Sequence, residues 1–236
     1  MKAHPVSLVA LLSVLLFPFA LQAEEGKAIY DKAGSKVTVS GSLNRAIYYL
    51  DDGKPSDAEE QDLYFVDNSA KSSRLTLTAE NSLTPEALIG ARWEVESLWD
   101  NSNDVSQSNP SVDAEFNTRI LEIYVKCPIG VFYVGQGSTA SDGSSERDLS
   151  GTSEVSRSGT KSFAGGFLFR NKLDGSLSPL AIGDTFDNLD GFNRKERLRY
   201  DTPKLFGGLV MAASIQGNWH WDISATYKIK SEVNQS

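Results

Sequence analysis

Phe116-Asn-Thr-Arg-Ile-Leu-Glu-Ile-Tyr-Val-Lys-Cys-Pro-Ile-Gly-Val-Phe-Tyr-Val-Gly-Gln-Gly137 is the stretch on which the fold turns. Two runs rich in β-branched and aromatic residues, Phe116 to Lys126 and Val131 to Gln136, flank Cys127-Pro-Ile-Gly130. Proline presets φ and glycine permits φ > 0, so the four residues read as a tight turn between antiparallel strands. A long segment rich in Ser, Asp and Gly follows at once.

The same organisation extends in both directions. Amphipathic runs are expected at Val37 to Tyr49, Ser73 to Glu80, Ala87 to Leu98, Arg197 to Asp201, Gly208 to Ile215 and Trp221 to Ile229, making eight with the central pair. Short links at Asn81 to Glu86, Cys127 to Gly130 and Thr202 to Gly207 all contain proline. The links between them are long and polar, except Gln216 to His220. Short turns at one end and long loops at the other characterise membrane-spanning barrels.

Side-chain parity supports this reading. Ile89, Ala91, Trp93 and Val95 share one face of their run, and Gly90, Arg92, Glu94 and Glu96 share the other. Leu75, Leu77 and Ala79 likewise oppose Arg74, Thr76, Thr78 and Glu80, while Leu198 and Tyr200 oppose Arg197, Arg199 and Asp201. Arg45 and Glu122 break the pattern. Arg45 shares a face with Val37, Val39, Leu43 and Ile47, and Glu122 falls opposite Arg119. Either a bulge shifts the register there, or the residue sits at the bilayer rim, where a charge costs about 0–1 kcal/mol.

The first 23 residues carry Lys2, an apolar run from Val6 to Ala20 and then Leu21-Gln-Ala23, the signature of a secretory signal peptide, which leaves 24–236 as one β-barrel domain. The chain has 23 Lys+Arg against 31 Asp+Glu, and loss of Lys2 leaves a net charge of about −9, unsuited to nucleic acid. No later segment can span a bilayer as a helix, so membrane insertion requires strands with every backbone group paired. Cys127 is the single cysteine and cannot form an internal disulfide.

Lys36-Val-Thr-Val-Ser-Gly-Ser-Leu-Asn, Ser73-Arg-Leu-Thr-Leu-Thr-Ala-Glu, Asn117-Thr-Arg-Ile, Gly130-Val-Phe-Tyr-Val-Gly-Gln-Gly and Asn193-Arg-Lys-Glu-Arg-Leu-Arg-Tyr-Asp-Thr-Pro-Lys-Leu-Phe-Gly-Gly together resemble the Gram-negative trimeric porins. The resemblance implies a multi-pass, all-β transmembrane antiparallel β-barrel in the outer membrane, among lipid and lipopolysaccharide, assembled as a homotrimer. It implies passive diffusion of small hydrophilic solutes and ions through a water-filled channel. It also implies that Thr139 to Arg194, after strand 5, folds inward as a constriction loop. Asp142, Glu146 and Asp148 match its acidic residues, and Arg74, Arg119, Arg197 and Arg199 match the basic positions of the wall. Opposed fixed charges would align water and disfavour apolar solutes. Arg92, Glu94 and Gln136 are further lumen-facing candidates, Gln136 standing where many members have arginine.

The chain also departs from the family. Phe163-Ala-Gly-Gly-Phe-Leu-Phe169 inside the loop reads as an extra strand or a packed plug. About eight strands are present of an expected 16, and the last residues lack a terminal aromatic, so the sequence looks like the amino-terminal portion of a porin. An eight-stranded barrel closed on itself, filled by side chains and serving adhesion or structure, is the rival reading.

No cofactor, metal or enzymatic site is expected. After leader removal His220 is the one histidine, so paired-histidine metal sites are excluded, and a Ser/His/Asp triad or other hydrolase would have to use it, in the link between Trp219 and Trp221. Ser158-Gly-Thr-Lys161 lacks the companion motifs of an acylating serine. Asp184 to Gly191 resembles a calcium loop only loosely, since Phe186 and Arg197 fall where such a loop needs ligands, and leaves room for a weak site at most.

Overall fold

The computed structural model describes residues 15–22, 26–55, 59–145, 151–152, 159–185 and 190–228. Strands β1 (Leu15–Gln22), β2 (Lys27–Lys32), β3 (Ser35–Tyr49), β4 (Leu63–Asp67), β5 (Ser73–Thr84), β6 (Ala87–Leu98), β7 (Glu115–Cys127) and β8 (Gly130–Ser138) come first. A long connection then carries helix α1 (Thr160–Ala164), the short strands β9 (Leu168–Arg170) and β10 (Leu177–Ala181), and helix α2 (Ile182–Thr185). β11 (Arg194–Asp201), β12 (Leu209–Gln216) and β13 (Trp221–Tyr227) complete the wall.

Eleven strands form one antiparallel sheet along the path β1-β3-β5-β6-β7-β8-β11-β12-β13, with β2 and β4 also paired to β3. All eight expected runs are strands within the described residues, the last being described only to 228, but the count differs from eight, and the described strands do not close into a barrel. The additions have identifiable origins. β2 folds back on β3 through Ala33 and Gly34, whose φ values of 52° and 80° suit a two-residue hairpin turn. β4 and β5 are successive halves of one neighbour of β3, pairing with Arg45–Tyr49 and Ser35–Ser42 and separated by a 3-10 turn at Ser69–Lys71. β9 and β10 form a separate hairpin inside the long loop. β1, drawn from the apolar run assigned to the leader, lies antiparallel along Ser42–Tyr49, where it satisfies an edge that would otherwise be open.

The apolar side chains of the wall point away from the loops. Leu121, Ile123 and Val134 are 57%, 56% and 59% exposed, and Leu75, Trp93, Leu198, Met211 and Ile223 continue the same face. Between them Glu122 is 3% exposed and Arg197 6%. A soluble half-buried sheet has the reverse arrangement, and so large a contiguous apolar surface marks contact with another apolar phase.

The apolar core lies at one corner of the inner face. Ala46, Tyr48, Tyr64 and Val66 of β3 and β4 pack with Ala164, Phe167 and Ile182 of the long loop and Val105 of the 99–114 loop. The Tyr64 and Phe167 rings meet edge to face at 5.0 Å, and Tyr48 faces Phe163 at 5.1 Å. Phe163 to Phe169 is therefore a packed plug that spans the end of α1 and the start of β9.

Candidate functional site

The polar inner wall runs from β5 to β11 and is held by ion pairs between neighbouring strands. Arg119 reaches Glu94 at 2.9 Å and Glu96 at 2.7 Å, and these carboxylates also accept from Thr76 and Ser72. Arg92 and Arg197 share the carboxylate of Glu122, at 2.5 and 2.6 Å. Arg199 pairs with Asp201 at 2.7 Å and donates to the carbonyls of Ser138 and Thr139. The guanidinium carbons of Arg197 and Arg199 lie over the Tyr133 ring, 5.7 and 5.8 Å from its centroid. Tyr124 and Lys126 converge on Glu80 nearer the short turns.

Two local irregularities make this network possible. The β6–β7 ladder pairs Glu94 with Ile120 and Val95 with Thr118, which leaves Arg119 as an extra residue in a β-bulge. The bulge brings Arg119 to the inner face together with Ile120, Glu122 and Tyr124, so the parity conflict between Arg119 and Glu122 disappears. Arg197 reaches Glu122 across β8, passing over Gly137. A Cβ at Gly137 would lie 2.7 Å from both Arg197 Nη2 and Glu122 Oε2.

Arg45 has no bulge. It remains on the outer face at the loop end of β3, paired with Asp67 at 2.9 Å and about one-third exposed, as expected of a charge at the rim.

The long loop is fastened at two places. At its root, Ser141 donates through its backbone N and its hydroxyl to Asp222 at 2.7 and 2.6 Å, Ala140 N donates to Ser214 Oγ, and Ser214 donates to Asp222. Farther along, Arg170 pairs with Asp52 at 2.9 Å, and Gln107 bridges Asp52 to the backbone of Leu168. The loop thus crosses the inner face from β12 and β13 to β3 and β4.

The structure places Arg74, Arg92, Glu94, Arg119, Arg197 and Arg199 on this inner wall. It joins Arg92, Arg119, Arg197 and Arg199 to wall carboxylates, where an acidic loop opposite an arginine row was expected. Asp142, at the loop root, is an electrostatic neighbour of Arg194. Glu146 and Asp148 lie outside the described residues. Gln136 is paired with Leu121 and Glu196, in the row of outward-facing side chains. His220 stacks on Phe192 beside the loop root.

Sequence reasoning missed Glu96, Glu122, Asp222 and Arg194. Glu96 continues the polar face of Glu94, and the β6–β7 register sets Arg92 directly against Glu122, so alignment of that hairpin would have found both. Asp222 had no such signal, because Ser141 lies 81 residues away. Arg194 was counted as the last loop residue, whereas it begins β11.

Among the described residues, no group of three or more His, Cys, Asp or Glu is arranged to hold a metal ion. No described helix is long and apolar enough to cross a membrane, a fact that says nothing of strands. No curated protein and no solved structure matches the chain. The family model described as Gram-negative porin matches residues 9–234, almost the whole sequence. Apolar strands facing outward, a charged inner wall and a loop folded across it agree with that match, and the chain belongs to the Gram-negative porin family.

Proposed function

We propose that the protein is a water-filled outer-membrane channel through which small hydrophilic solutes and ions diffuse passively. In this reading, residues 1–23 direct export and are then removed, which takes β1 from the wall and bares the Ser42–Tyr49 edge of β3, and the barrel works as a homotrimer in contact with lipid and lipopolysaccharide. The observation that carries the reading is the inverted sheet, with Leu121, Ile123 and Val134 exposed while Glu122, Arg197 and Arg119 line the opposite face. Lipid accommodates the first set, and water suits the second.

Fixed charges of both signs on the inner wall attract ions of either sign without holding one too tightly to leave. The inward-folded loop narrows the passage on the side of β3 and β4, where its plug is apolar and dry. Purified protein added to planar lipid bilayers is expected to give stepwise conductance increments. A correctly inserted protein that stays silent would instead favour a non-conducting barrel, the reading suggested by the packed plug.

A further inference from the structure

We propose that the half of the β3 edge nearest the long loops is a strand-docking surface whose first occupant is the chain's own leader, which covers it until cleavage. This rests on the leader assignment in the reading above. β1 pairs antiparallel with β3 over eight consecutive positions, from Leu15 against Tyr49 to Gln22 against Ser42. β2 covers the other half of the same edge, from Lys27 against Val39 to Lys32 against Ser35. The expected cut after Ala23 falls between the two, so cleavage strips one half of the edge and leaves the other covered.

The hydrogen-bond phase of β3 shows that the leader fits this edge position by position. Leu50 N donates to Asp62 O, Asn44 N donates to Ser73 Oγ and Asn44 O accepts from Asn68 N, so the even-numbered backbone groups of this half face β4 and β5. Backbone groups alternate sides along a strand, and Leu43, Arg45, Ile47 and Tyr49 therefore turn theirs toward β1. Their partners Leu21, Phe19, Phe17 and Leu15 form the bonded row of the leader. Pro18 lies opposite Ala46, in the row that faces away from β3, where the ladder asks for no donor. The proline of β1 thus occupies a position at which an edge strand tolerates proline.

A covered edge is inert, and an open one is a template. Unpaired N–H and C=O groups along Ser42–Tyr49 would recruit a strand from any neighbouring chain before the sheet reaches the membrane. The leader satisfies them while it is attached. Its removal frees the edge to receive another strand by the same backbone pairing.

The test is residue-resolved amide hydrogen exchange on the full chain refolded in detergent, with heat-modifiable gel mobility and protection of β6 and β7 as the checks of folding. Phe17, Phe19 and Leu21 are expected to exchange about tenfold more slowly than Leu16 and Ala20. Phe19→Pro removes a donor from the bonded row and is expected to bring Phe17 and Leu21 to the faster rate, whereas Pro18→Ala leaves the alternation unchanged. Absence of alternation in the parent, or its survival in Phe19→Pro, overturns the docking. On dilution from detergent, light scattering should rise faster for Phe19→Pro than for the parent or Pro18→Ala, and equal rates overturn the covering role. An exported protein that retains Leu15–Gln22 overturns the leader assignment and the release step with it, a failure that the exchange pattern of the full chain keeps separate from failure of the docking.

Discussion

Glu122 and Phe167 lie on the same inner face and are almost completely buried, yet their surroundings have nothing in common. Glu122 sits between two guanidiniums on a wall of alternating charges, while Phe167 sits among Tyr64, Val66 and Ile182 in a dry corner. The wall needs water nearby to solvate what its ion pairs leave unsatisfied, and the corner excludes water to gain from packing. One sheet therefore keeps an open polar side and a closed apolar side. The border between them runs along β5, where the ladder to β3 ends at Arg74 and the wall network begins.

The contrast breaks most directly at its apolar end. Phe167→Ala removes a ring from the centre of the plug and is expected to cost about 3–5 kcal/mol in urea unfolding from lipid vesicles, with larger single-channel conductance as the loop loosens. At the polar end, Glu122→Gln leaves Arg92 and Arg197 without their shared charge, at an expected cost of about 3 kcal/mol. If the wall were held by apolar packing like the corner, that substitution would be nearly silent in the same experiment. Asp222→Ala removes the acceptor for Ser141 and Ser214, and about 1–3 kcal/mol should be lost. Limited proteolysis between 139 and 193 should quicken in that variant while the strands stay protected. Smallest is Arg45→Ala at the rim, whose guanidinium is about one-third exposed while the buried Asp67 keeps its bond from Trp99 N, and about 1 kcal/mol should be lost in the same unfolding series.

The same division decided what could be read from the sequence. Alternation revealed β5, β6 and β11 because their two faces meet different media. β4 escaped because its outward Leu63 and Phe65 and its inward Tyr64 and Val66 are all apolar, the inner pair facing the plug. Periodicity vanishes wherever both faces are dry. The bulge at Arg119 hid in another way, since an extra residue shifts parity without changing composition. Individual arginines were legible as residues of the wall, but their partners were not, because those partners depend on cross-strand register and on a glycine that opens a path over β8.

Arg197 and Glu122 are 75 positions apart in the chain, whereas Arg92 and Glu122 are separated by 30 and share a hairpin. The cost of closing a loop rises with its length, so the nearer pair has the lower entropic barrier and is expected to form first. The β6–β7–β8 meander then stands ready with Glu122 already paired to Arg92, and Arg197 adds a second guanidinium only when β11 arrives across the long loop. Glu122 is thus expected to gain its two partners in sequence as the sheet assembles. Pulse-labelled hydrogen exchange during refolding into detergent should protect β6 and β7 before β11, and Arg197→Ala should delay only the later phase.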